Sequence, residues 1–179
     1  MLFTRTIAVL ALLFAGCAIA PRSPAERQSL RQSADATLAE MIAHDPAIEA
    51  VIRQAPAYAV FPSVGKGGIL IGGAYGRGIL YEAGRPTGFV SLQQASIGAQ
   101  LGGESFAELL VLRSAREIQR LKAGHFTAGA NVGVDVISAG AATHASFDPN
   151  TSVFVMPRGG LMVDVSITGQ ALNYQSFSA

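Results

Sequence analysis

The 179-residue chain has no tryptophan, a single cysteine, and charged side chains at only 14% of its positions. One cysteine excludes an internal disulfide framework, so stability has to come from packing. The three histidines, His44, His125 and His144, are not spaced as H-x-x-x-H or H-E-x-x-H, so no metal motif is legible. No G-x-S-x-G elbow is present, and neither G-x-G-x-x-G nor G-x-x-x-x-G-K-[ST] occurs. Lys66, within Gly65-Lys66-Gly67, is followed by glycine and a β-prone run, whereas a phosphate loop needs a helix there. Asp135 and Asp164 fall on polar phases of two strand-like runs, as solvated surface carboxylates do. The expectation is therefore a protein that is not an enzyme, without metal or cofactor.

Long apolar runs are also scarce; the one at the start is too short to span a membrane. Residues 1–16 carry Arg5 and then an apolar stretch over 7–15, the pattern of a secretory signal. They end Leu13-Phe14-Ala15-Gly16-Cys17, which resembles a bacterial lipobox, with Phe14 where Leu is usual. Acylation would account for the lone cysteine. Ala18, rather than Asp, follows it, which by analogy with enteric lipoprotein sorting points to the outer membrane. Loss of Arg5 from the 13 basic residues leaves as many basic as acidic side chains. A neutral chain lacks the charge that non-specific nucleic-acid binding requires.

What the chain has in excess is glycine, 20 residues, concentrated over 61–103. There, short β-prone runs alternate with Gly72-Gly73, Gly76, Gly78 and Gly88, and Glu82 to Thr87 reads as a hairpin loop. Glycine inside a strand marks a bulge, a bend or the close approach of another backbone. The pair Gly72-Gly73 is the expected bend, and Pro62 the expected end of the first strand. Beyond it, residues 128–136, 153–156 and 161–168 read as strands, with turns at 147–150 and 157–160. The fold class predicted is α+β: a strongly bent, barrel-like antiparallel sheet with two N-terminal helices and one short helix between strands.

The helices are marked by their caps. Ser23-Pro24 with Glu26 is a capping box, and Leu30, Ala34, Leu38, Met41 and Ile42 recur at helical spacing. Arg27, Arg31, Asp35 and Glu40 lie on the other side, a mixed-charge face. Asp45-Pro46 caps a second helix that Pro56 ends. Ser105 and Glu108 form a possible capping box, as do Ser114 and Glu117. The reading taken is a strand to Leu112 followed by a helix over 115–122, stopped by Gly124. Arg113, Arg116, Arg120 and Lys122 make a local basic cluster, with Arg116 and Arg120 on one helix face. The domain layout expected is a signal over 1–16, a lipidated tether over 17–22, and one domain over 23–179.

Residues 59–68, Ala59-Val60-Phe61-Pro62-Ser63-Val64-Gly65-Lys66-Gly67-Gly68, resemble the SYLF domain family of bacterial lipoproteins and eukaryotic membrane-linked actin regulators. Gly72 to Gly78, Ala95 to Gly103 and Gly159-Gly160-Leu161-Met162 continue the resemblance, which covers 55–173. It implies lipid binding, with phosphoinositides as ligands of eukaryotic members, and places Lys66 on a basic position of the family's motif. Actin binding does not carry over. Candidate lipid-binding residues are Lys66, read in a glycine-flanked loop, Arg77, read in a second glycine-rich turn, and Arg116 and Arg120, and the partner expected is membrane phospholipid. The competing class is a structural or protein-interaction module anchored by its own lipid, its protein partner unidentified.

Cys17 is expected to be acylated. Mass spectrometry of the mature protein should find an N-terminal diacylglyceryl-cysteine. An unmodified N-terminus downstream of Cys17 overturns the expectation.

Overall fold

Ser23 opens the first helix through its hydroxyl. In the computed structural model, which describes residues 19–69, 71–97, 102–128, 133–138, 141–143, 150–160 and 170–178, helix α1 spans Pro24–His44. Ser23 Oγ accepts from the Glu26 N–H at 3.2 Å, and the Glu26 carboxylate accepts from the Ser23 N–H at 3.3 Å. This is the reciprocal capping box anticipated from sequence. Helix α2, Ala47–Gln54, starts where Asp45 Oδ1 accepts from the Ala47 N–H at 3.0 Å. Ala55 leaves it in extended conformation, as a residue before proline must.

The strands are β1 (Ala57–Ile69), β2 (Ile71–Glu82), β3 (Arg85–Ile97), β4 (Gly102–Leu112), β5 (Phe126–Ala128), β6 (Gly133–Ser138), β7 (Ala141–Thr143), β8 (Thr151–Gly160) and β9 (Gln170–Ser176). Helix α3, Ala115–Lys122, lies between β4 and β5. The strands form one sheet in the order β5-β9-β3-β2-β1-β4-β8-β6-β7. Its pairings are antiparallel except for β6 with β8, which is parallel. The α+β class therefore holds, with an antiparallel sheet at its centre. Among the described residues β5 and β7 remain as edges, so the sheet does not close and barrel-like closure is not seen.

The sheet is nevertheless strongly bent. Residue Glu108 of β4 and Gln170 of β9 are four strand spacings apart, about 19 Å on a flat sheet. Yet Gln170 Nε2 donates to Glu108 Oε2 at 3.0 Å. Only a sheet rolled about its inner face can bring them together. That inner face holds a core of Phe61, Val64, Leu80, Leu92, Leu110 and Val155, among others, which Ile118 and Leu121 of α3 help to cover. The outer face carries a second core, in which Val60, Ile79, Phe89 and Leu109 meet Met41 of α1 and Ile48 of α2. Burying each such side chain contributes about 1.5–3 kcal/mol.

One of the sheet's register shifts, a bulge in β1, is part of that bend. Between Val60 and Ser63, β1 advances three residues while β2 advances two, from Ile79 to Arg77. Between Phe61 and Val64 it also gains one residue on β4. Both neighbours see the extra residue, so Phe61 and Val64 share the inner face despite their odd spacing. Gly78 lies across from it. A Cβ there would strike the Val60 carbonyl oxygen and come within 2.8 Å of Phe61 Cδ1.

Several expectations are corrected here. Pro62 does not end β1; it sits in the bulge of a longer strand. Gly65-Lys66-Gly67 is strand rather than loop, as is Arg77 between its glycines. A backbone does approach Gly73, where a Cβ would meet the Gln94 carbonyl oxygen at 3.3 Å, but Gly76, Gly78 and Gly88 are more crowded. Residues 157–160 continue β8 instead of turning. Ser105 and Glu108 lie in β4, in keeping with the strand reading to Leu112. The hairpin turn is tighter than expected, with Ala83 and Gly84 both at positive φ, as a two-residue connection demands. The run over 161–168 and most of the turn at 147–150 lie outside the described residues. Helix α3 and its Gly124 stop are as expected: Gly124 has φ 71°, and His125 N–H reaches the Arg120 carbonyl at 2.9 Å.

Gly78→Val should lower stability by about 1–3 kcal/mol through overpacking against β1. Gly65→Ala, whose Cβ meets nothing within 4 Å, is the matched control. Chemical denaturation of both variants checks this; equal midpoints would count against the bulge as the point of closest approach.

Candidate functional site

Helix α1 crosses the outer face on a narrow apolar stripe, with Ala34, Thr37 and Met41 its buried residues. Its polar flanks complete the attachment. Asp35 accepts from the Tyr81 hydroxyl at 2.6 Å, and Tyr81 stacks on Tyr58 with ring centroids 5.0 Å apart. Burial, and then the bond to Asp35, push the Tyr81 phenol well above its usual range. Arg31 lies 3.8 Å over the Phe177 ring, and Arg27 lies 5.8 Å from the Phe89 centroid. On the other flank Arg158 pairs with Glu40 at 2.9 Å and donates to Thr37 Oγ1 at 2.8 Å. The mixed-charge face read from sequence is thus engaged with the sheet.

Where α1 lies beside the bulge, a groove opens. One recess of about 360 Å³ is lined by Ser29, Leu30, Ser33, Pro62, Ser63 and Arg77, among others. A second, of about 400 Å³, shares Ser33, Pro62 and Ser63 with it and ends at Arg158. The two are continuous along α1, with an arginine at each end and serine hydroxyls between. Glu26, which also borders the first recess, accepts from the backbone N–H groups of Arg22 and Ser23. Arg77 Nε donates to the Tyr75 hydroxyl at 2.8 Å, which holds its guanidinium along the outer face. Such a groove can take a phosphate or polyhydroxyl group; it holds no nucleophile–base pair. Among the described residues no cluster of three metal-ligating side chains occurs, and no helix there is long and apolar enough to cross a membrane.

The sequence-stated candidates do not converge. Lys66 is only 6% exposed and points to the inner face, on the same phase as Val64. It pairs in register with Ala74 and is engaged within the fold. Arg77 is on the opposite face, at the groove. Arg116 and Arg120 are exposed on α3, away from both, and Arg120 is paired with Glu117 at 3.2 Å. Their neighbours are also committed: Arg113 donates to Ser152 Oγ at 3.0 Å, and Lys122 binds Glu82 at 2.8 Å. Burial alone would raise the Glu82 carboxyl, but the bonds from Lys122 and Thr87 hold it below the usual range. Cys17 lies outside the described residues, as does His144; His44 and His125 are exposed.

Two residues that sequence reasoning passed over are prominent. Arg158 closes one end of the groove, and its place beside Gly159-Gly160 had suggested a turn. Glu108 is fully buried, and its signal was a lone charge in the apolar run of β4.

No curated protein matches the chain. Residues 93–176 match the family model described as "Ysc84: Las17-binding protein actin regulator". The match runs from the end of β3 through β9, including the β4–β9 link across the roll, and begins after Lys66 and Arg77. Over 93–176 the chain is therefore similar to the Ysc84 (SYLF) family.

Proposed function

We propose that the chain is a non-enzymatic phospholipid-binding lipoprotein of the bacterial envelope, anchored through Cys17 in the outer membrane and facing the periplasm. Its headgroup contact is the groove between α1 and the β1 bulge. The observation that carries this reading is the position of Arg77, half-buried at the groove's end beside the Ser29, Ser33 and Ser63 hydroxyls. A guanidinium among hydroxyls suits a phosphodiester, because both its charge and its fixed donors are used. The lipid-binding implication of the SYLF resemblance supports the same reading. Lys66, buried on the other face, serves the fold rather than the headgroup, and Arg116 and Arg120 form a separate exposed patch.

A second reading is favoured by the matched family's description as a Las17-binding protein. In it the groove takes a protein segment, and the only lipid is the chain's own anchor.

Vesicle co-sedimentation of the chain from Ala18 onward separates the two. Binding to anionic vesicles is expected, weakening with salt. Arg77→Ala should reduce it about fivefold, the equivalent of about 1 kcal/mol for one basic residue near the surface. Arg116→Ala and Arg120→Ala should have smaller effects. Wild-type behaviour of Arg77→Ala would move the headgroup site to α3. Failure of the unsubstituted chain to bind any vesicle would replace the lipid reading by the protein-interaction one.

A further inference from the structure

One buried group is used neither by the groove nor by the apolar cores. Glu108 is 0% exposed on the inner face of β4, and Gln170, also 0% exposed, meets it from β9. Gln170 Nε2 donates to Glu108 Oε2 at 3.0 Å. The remaining oxygens, Oε1 of Glu108 and Oε1 of Gln170, are both sealed from solvent and both without a donor. An ionised carboxylate only accepts, and an amide oxygen only accepts. A charged Glu108 therefore leaves two acceptors buried with nothing to bind. A single proton on Oε1 of Glu108 would supply the one donor that this pair of acceptors lacks.

Among the described residues the surroundings provide no counter-charge for an ionised form. In register, Glu108 faces Phe61 on β1 and Val155 on β8. Strand β9 carries no charged residue, and its titratable Tyr174 lies further along, opposite Val90. Gln94 of β3 pairs with Gln170. Lys66, the buried cation of β1, sits in register with Glu104, beyond the Val64–Phe106 pair. Arg158 of β8 is on the outer face with Glu40. Helix α3 turns Ile118 and Leu121 inward, and its Glu117 bonds Arg120.

We propose that Glu108 is kept as a neutral carboxylic acid whose O–H donates to Gln170 Oε1, making with the existing N–H···O bond a two-bond staple between β4 and β9 that fastens the rolled sheet and is released when the proton is lost to solvent. Burial raises the Glu108 carboxyl to about 7, against the pull of the Gln170 N–H toward the charged form. The sign of the pH dependence follows. Below the ordinary carboxyl value of 4.5 the native and unfolded chains are both protonated. Between that value and about 7 the unfolded chain has lost the proton and the native chain retains it, so stability falls as pH rises across this window. Above it both forms are ionised and the loss is complete.

Thermal unfolding of the purified chain and of its Glu108→Gln variant, at pH 5 and pH 8, tests the staple. Glutamine keeps the shape and a donor but cannot titrate. The expected result is that the wild-type midpoint falls relative to the variant's between the two pH values. A difference between the two proteins that does not change with pH overturns the proposal. Should Glu108→Gln not fold, infrared spectroscopy of the wild-type chain reads the same group directly. A carboxylic-acid C=O band at pH 6, where exposed carboxyls are ionised, that fades as pH rises past 8 is expected. Absence of that band at pH 6 overturns the proposal independently.

Discussion

The molecule depends on one extra residue in β1. Because both β2 and β4 register against the same bulge, the strand changes phase at Pro62–Ser63 without leaving the sheet. Inner-facing positions before it are Ala57, Ala59 and Phe61, and after it Val64 and Lys66. A bulged strand bends and twists more than a regular one. Here the bend falls in the middle of the β1–β2 ladder, where Gly78 lets the two backbones approach. Without that curvature Glu108 and Gln170 could not touch, and α3 would have no concave face to cover.

The same bulge divides the outer face in two. Before it, Tyr58 and Val60 lie under the helices. After it, Ser63, Gly65 and Gly67 are exposed, and no apolar side chain is offered for a helix to cover. The groove lies at this change of surface, which is why its floor is Pro62 and Ser63 and its wall is α1. The candidate lipid contact is thus a by-product of how the sheet is bent. Its two arginines are held by different means, Arg77 by the Tyr75 hydroxyl and Arg158 by Glu40 and Thr37.

Local chemistry was legible in the sequence and long-range geometry was not. Both N-terminal helices, the 82–87 hairpin, the strand ending at Leu112 and the α3 stop at Gly124 follow from capping, turn and breaker residues acting over a few positions. The density of glycine over 61–103 indicated bending, yet not which glycines were most crowded, since Gly78, for one, is squeezed by residues seventeen or so positions away in sequence. Pro62 and Gly159 suggested breaks because proline and glycine usually interrupt strands; here neighbouring strands override that preference. Lys66 and Arg77 looked alike, each between two glycines. Strand alternation and the bulge send them to opposite faces, a distinction that the motif by itself does not contain. Glu108 stood out only as half of a possible capping box within a run taken as strand, because its partner Gln170 lies 62 residues later.

That separation also orders events during synthesis. Helices α1 and α2 and the β1–β2–β3 meander are built from neighbouring segments and can pair as soon as they emerge. Strand β9 comes last among the described strands and pairs with β3, matching Leu92 to Leu172 across eighty residues. Closing so long a loop costs entropy before any contact is gained, and contacts of this range slow folding. Until β9 arrives, the inner edge of β3 exposes Val90 and Leu92, and Glu108 has no amide to meet. The interval between making β3 and making β9 is therefore when an incompletely rolled chain presents an open, apolar strand edge to its surroundings.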